Sequence, residues 1–159
     1  MKYRTASARR KTIYHFKEAG VIKFIVEGTA VPKQRPRISG RQAYTPKRTK
    51  DYEERVRQAF CSSHRGPLPV YAEGTPVRAS IEIIRKIPKS WTKARQLAAA
   101  TGLITPTARN GDLDNFAKSI LDALNGYVYQ DDCQVTTLII SKRYGHQARA
   151  IVRFDEDER

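Results

Sequence analysis

The stretch that can do chemistry is G-D-L-D-N-F-A-K-S-I-L-D-A-L-N-G, from Gly111 to Gly126, followed by the adjacent pair Asp131 and Asp132. The chain has only 16 acidic residues against 30 basic ones, yet Asp112, Asp114, Asp122, Asp131 and Asp132 all fall between positions 112 and 132. Carboxylates repel phosphate, so a protein built to attract a polyanion gains no binding from them alone. A divalent cation resolves the conflict. Mg²⁺ takes oxygen ligands, commonly one or two carboxylates completed by phosphate and water, and it can polarise a phosphoryl oxygen and activate a water. Asp-x-Asp alone is a weak signal. Aspartate is a common helix cap, and Asp114 to Lys118 is an ordinary i,i+4 pair worth roughly 0.2 to 0.5 kcal/mol.

The acids need an element to hold them. Leu113, Phe116, Ala117, Ile120, Leu121 and Leu124 fall in one wide stripe of a helix with about 3.6 residues per turn. Asp114, Lys118 and Asp122 follow at four-residue steps along the edge of the polar face, and Asp112 stands at the helix start, where its carboxylate can cap. If the Asp131–Asp132 pair is to join the other acids, the chain must turn back. From Asp114 to Asn125 such a helix rises about 17 Å, and the residues from Gly126 to Asp131 span about 20 Å when extended. That suffices if Gly126 starts a reversal and Tyr127 to Tyr129 lie extended beside the helix, which would close the site within one subunit. The alternative is that Asp132 completes the site of a partner.

The formal charge of +14 and pI of about 10.1 point to a polyanionic partner. No apolar run approaches the roughly 20 residues needed to span a membrane, and no signal-peptide core is evident, so a membrane surface is the weaker choice and a cytoplasmic location is expected. In V-P-K-Q-R-P-R, Pro32 and Pro36 keep the backbone extended, so that Lys33, Arg35 and Arg37 fall on one side as a basic comb suited to phosphate contact. Tyr44 and Trp91 could stack on an unpaired base, although packing is the better reading of each alone. Cys61 and Cys133 match no disulfide or zinc spacing and are expected to be reduced and partly buried. His15, His64 and His146 are too scattered for a ligand cluster and read as surface or packing residues.

The remaining elements supply the frame. Val21 to Val26 reads as a buried strand. Thr45-Pro46 opens a helix with Tyr52, Val56, Ala59 and Phe60 on its apolar face, and Val77 to Ile84 alternates as a strand. Ser90 can cap a helix ended by Gly102. After the acid-bearing helix come strands from about Val135 to Lys142 and from Ala148 to Phe154. The order is strand, helix, strand, helix, helix, strand, strand, an α+β fold with a mixed sheet and helices packed on one face. The domain spans 21–154, between a basic arm over 1–20 and an acidic tail over 155–159 that is expected to be disordered.

The run D-L-D-N-F-A-K-S-I-L-D-A-L-N-G followed by D-D-C-Q-V resembles the signature of the RusA-type Holliday junction resolvases, including phage-encoded members. V-P-K-Q-R-P-R with the later Y-T-P-K resembles the N-terminal signature of the same family, and the likeness extends over roughly Ile22 to Phe154. Many members carry proline directly before the first aspartate, where this chain has Gly111. The resemblance implies a RusA-like fold and a homodimeric, metal-dependent endodeoxyribonuclease that acts on four-way DNA junctions in recombination and repair. Mg²⁺ would be its metal, with Mn²⁺ as a substitute, in the cytoplasm of a bacterial cell or a phage-infected host. Asp112, Asp114 and Asp132 would hold the metal, Lys118 would be the catalytic lysine, Asp131 a less certain participant, and Asp122 structural. Two matching nicks need two matching sites, which a two-fold dimer supplies. The rival readings are a non-catalytic module that binds branched DNA, and a nuclease acting on flaps or other structures.

Overall fold

The computed structural model describes residues 20–35, 37–39, 42–107 and 111–158, with the backbone alone at 37–39 and 42–43. The basic arm therefore lies, apart from Gly20, outside the described residues. Strand β1 (Ile22–Glu27) leads through an extended segment to a hairpin of β2 (Arg37–Ser39) and β3 (Gln42–Tyr44), then to helix α1 (Lys47–Ser63). Strand β4 (Val77–Lys86), helices α2 (Lys93–Ala100) and α3 (Leu113–Ala123), and strands β5 (Val135–Gly145) and β6 (Arg149–Glu156) follow. The expected elements are all present, with Thr92 rather than Ser90 capping α2 through the Arg95 N–H; the hairpin is an addition. The backbone expected to be extended there pairs with itself across residues 37–44.

The sheet has the order β1-β6-β4-β5, with β4 and β5 parallel and the other pairs antiparallel. It is the mixed sheet of an α+β fold. Alternation puts Ile22, Phe24 and Val26 of β1, Ala79, Ile81 and Ile83 of β4, and Ala150, Val152 and Phe154 of β6 in one buried cluster. Tyr52, Val56 and Phe60 of α1 and Phe116, Ala117, Ile120 and Leu121 of α3 complete that cluster, as their helical spacing requires. The polar face of α3 is left outward, and with it the acids.

Three expectations are corrected. Strand β6 runs through Glu156, and Asp157 is 3% exposed, so this part of the 155–159 segment is built into the fold. The Asp157 carboxylate accepts hydrogen bonds from Arg78 (2.8 Å), Thr136 (2.7 Å) and Thr137 (2.6 Å), and its backbone N–H donates to the Pro76 carbonyl (2.9 Å). These bonds, the Thr137 one first, hold its carboxyl well below the usual carboxylate range. Cys61 and Cys133 are free, as expected, but both are exposed, one on α1 and the other in the turn before β5. Tyr127 to Tyr129 are not extended. The Tyr127 and Val128 N–H groups both donate to the Leu124 carbonyl, folding the chain back tightly at Gly126, whose φ is +76°.

Candidate active site

Helix α3 positions the first acids. Asp112 takes the extended conformation of an N-cap residue (φ −81°, ψ 153°), but its carboxylate makes no cap hydrogen bond. The expected cap is absent, and the oxygens of Asp112 stay outward beside Asp114 in the first turn. Asp112, Asp114 and Lys118 are exposed. Among the described residues no ion pair joins Asp114 to Lys118. The helix start is held from behind instead. Gly111 has a φ of +114°, and a Cβ there would lie 2.8 Å from the Phe116 ring and 2.9 Å from Pro32 Cγ. Proline, locked near −65°, could not stand in that conformation.

The second acidic group sits at the other end of the helix. Asp131 caps a 3-10 turn (Asp132–Gln134) by accepting from the Cys133 N–H at 2.9 Å, and Gln134 returns the favour by accepting from the Gln130 and Asp131 N–H groups. The Cys133 N–H, and after it the Cys133 side chain, holds the Asp131 carboxyl below its ordinary value. Gln134 also donates to the Ala72 carbonyl (2.9 Å) and the Thr75 carbonyl (3.1 Å), pinning the turn to the loop before β4. Asp132 is consequently presented to Asp122. Partial burial, then the neighbouring carboxyls of Asp122 and Asp131, push the Asp132 carboxyl above the ordinary aspartate range. Tyr129 is buried behind them, its hydroxyl donating to the Leu121 carbonyl at 2.9 Å. Its phenol is pushed up, by desolvation first and then by Asp132, Asp122 and Asp131.

Asp112 and Asp114 therefore stand at the first turn of α3, and Asp132 stands by Asp122 near its last. Asp122 lies two turns beyond Asp114, about 12 Å along a helix that rises 1.5 Å per residue, and Asp132 keeps company with Asp122. Among the described residues no group of three or more His, Cys, Asp or Glu side chains has the arrangement to hold a metal ion. What is present, oxygen donors alone at each end of α3, is the chemistry that suits Mg²⁺ or Mn²⁺.

The basic comb is split. Lys33 turns inward: its ammonium lies 2.5 Å from Glu53 of α1 and 2.9 Å from Asp122 of α3, with its side chain 22% exposed. Burial alone would lower its pKa, but the hydrogen bonds to Glu53 and Asp122 outweigh that and raise it. Arg35 is exposed, and the Arg37 side chain lies outside the described residues. Beside this segment Thr29, Val31, Lys47, Arg48, Asp51, Tyr52 and Arg55 line a groove of about 700 Å³. Tyr44 is 45% exposed, whereas Trp91 is already stacked, with Arg95 4.0 Å from its ring centre and Tyr144 at 5.2 Å. His64 stacks on Phe60 as a packing residue.

Glu53, Gln134 and Tyr129 hold this arrangement and were not singled out in the sequence. Only Gln134 left a local trace, the D-x-x-Q spacing of a capping box.

The family model of endodeoxyribonuclease RusA matches residues 27–155, from the end of β1 to the last residues of β6. The chain belongs to the RusA family. It is thus an endodeoxyribonuclease of the family that resolves Holliday junctions in DNA recombination and repair. The chain is also similar to the uncharacterized protein YqaN of Bacillus subtilis (strain 168), 35% identical over 141 residues that cover 85% of this chain and 96% of the relative. No helix among the described residues is long and apolar enough to cross a membrane.

Proposed function

We propose that the chain cuts four-way junctions as a homodimer that uses Mg²⁺, or Mn²⁺ in its place, through Asp112, Asp114, Lys118 and Asp132, in the bacterial or phage-infected cytoplasm. The observation that carries this reading is the orientation of α3. Its apolar stripe is buried, and Asp112 and Asp114 are exposed at its start on a protein of net charge +14. Asp112 and Asp114 are the ligands on one side, and the uncapped Asp112 carboxylate has its oxygens available. A bound divalent ion would polarise the scissile phosphate and lower the pKa of the attacking water. Lys118, one turn beyond Asp114 and unpaired with it, is suited to stabilise charge that develops on the phosphate. Arg35, Arg37 and the groove of Arg48 and Arg55 are the proposed phosphate track.

The separation of Asp132 from Asp114 favours a shared centre, in which Asp132 of one subunit completes the Asp112 and Asp114 pair of the other. Such a centre would make dimerisation a condition of chemistry as well as of paired nicking.

The test is cleavage of synthetic four-way, flap and linear duplexes with Mg²⁺, Mn²⁺ and chelator. Symmetric nicks in the four-way junction that need the metal and are lost in Asp114→Asn are expected. Binding without cleavage under every condition would favour the non-catalytic module, and a preference for flaps would favour the flap nuclease.

A further inference from the structure

Lys33 belongs to the segment first read as a phosphate-binding comb, and it does something else. Its backbone N–H donates to the Asn115 carbonyl in the first turn of α3 at 2.8 Å, and its ammonium reaches Asp122 near the other end of the same helix at 2.9 Å. The same ammonium reaches Glu53 of α1 at 2.5 Å. All three side chains are largely withdrawn from solvent, at 22% for Lys33, 14% for Glu53 and 25% for Asp122. Pro32, directly before it, closes against the Gly111 approach to Asp112. One residue thus contacts the acid-bearing helix at both its first and its last turn and joins it to α1.

Asp122 has Lys33 as its ion-pair partner and the Asp132 carboxyl as its neighbour. Two carboxylates facing each other repel unless a cation holds one of them in place, and at partial burial that repulsion is only weakly screened. Two acids, Glu53 and Asp122, share the one ammonium, so neither can swing away without leaving the other with a surplus cation. A charge held this way fixes orientation as much as it stabilises, which is the service that residues behind a metal ligand supply.

We propose that Lys33 is a positioning residue of the nuclease centre: through Asp122 it fixes where the Asp132 carboxylate stands, and it does not contact DNA phosphate. This rests on the reading of Asp132 as a member of the catalytic set.

The experiment compares Lys33→Met, Lys33→Arg and the control Asp114→Asn, as full chains on a synthetic four-way junction. Junction affinity and its salt dependence are measured in Ca²⁺, and single-turnover cleavage of the saturated complex is measured across a Mg²⁺ titration. Lys33→Met is expected to keep the parental affinity and salt slope, to cut the bound junction about ten- to a hundredfold more slowly, and to need more Mg²⁺ for half-saturation. Lys33→Arg keeps the charge, and with it the fold, and should fall between Met and parent on both readings. Parental cleavage rates and Mg²⁺ dependence in both variants would overturn the proposal. So would a salt slope lowered by about one unit in Lys33→Met with an unchanged rate for the bound complex, since that marks a lost phosphate contact. If Lys33→Met does not fold, Lys33→Arg decides by the same readings. Cleavage by Asp114→Asn would instead sink the catalytic assignment beneath it, whatever the Lys33 variants do.

Discussion

Asp132 faces Asp122 across the turn that follows α3, and partial burial, then the carboxyls of Asp122 and Asp131, raises its proton affinity. The contact sets Asp132 apart from the pair at the start of the helix, and it governs how a complete centre can be assembled.

Mixing two inactive variants tests that assembly directly. In a heterodimer of Asp114→Asn and Asp132→Asn subunits, a shared centre leaves one complete set of ligands and one doubly damaged set. Nicking of a single strand should return to roughly half the parental rate, as expected for one intact site of two. A mixture that stays inactive after subunit exchange has been demonstrated would show that each centre is built within one chain.

Arg35 should behave as a phosphate contact where Lys33 does not. Arg35→Ala is expected to weaken junction binding for all sequences alike and to lower the salt slope by about one unit. An unchanged slope would remove Arg35 from the DNA surface.

The proton on Asp132 predicts a pH-dependent stability without metal. Because its folded pKa is raised above the ordinary aspartate value, the folded state binds that proton more tightly than the unfolded state does. The stabilisation is fully present below the unfolded pKa and is lost as pH rises through the raised one. Asp132→Asn lacks the loss, so its melting temperature in chelator should gain on the parent as pH rises from below the ordinary aspartate pKa through the raised one. A constant gap across that range would refute the assignment.

Gly111 should be intolerant of change. Its φ of +114° and the 2.8 Å approach of the Phe116 ring predict that Gly111→Ala destabilises the fold by about 1 to 3 kcal/mol, with Gly111→Pro worse. Thermal melts of the two variants settle the point, and an unshifted Ala variant would mean that the helix start relaxes freely.

Much of this was legible because the decisive patterns are local. The stripe from Phe116 to Leu124 announces α3 through its period, and the same period puts Asp114 and Lys118 on the outer face. Motif resemblance carried the family. The ion pairs of Lys33 were not legible, because Glu53 and Asp122 meet it only after α1 and α3 have packed, and an extended K-Q-R-P-R segment reads the same whether its lysine turns in or out. Asp157 failed for a related reason. D-E-D-E-R looks solvated until Arg78, Thr136 and Thr137 are brought to it by neighbouring strands. Residues 127–129 were misjudged because tyrosine and valine favour extended backbone, whereas burial of Val128 and Tyr129 against the core fixed a tight turn.

Strand β6 lies between β1 and β4 in the sheet, although it follows both in the chain. Neither of those strands can be joined to the other until Arg149 to Glu156 is in place, so the sheet cannot close at its centre before this strand is added. During synthesis the acid-bearing segment and most of the basic surface emerge before that centre exists. A nascent chain on a ribosome near DNA would carry the charge to bind it without the platform that orients α3, so cutting power would arrive in a single late step.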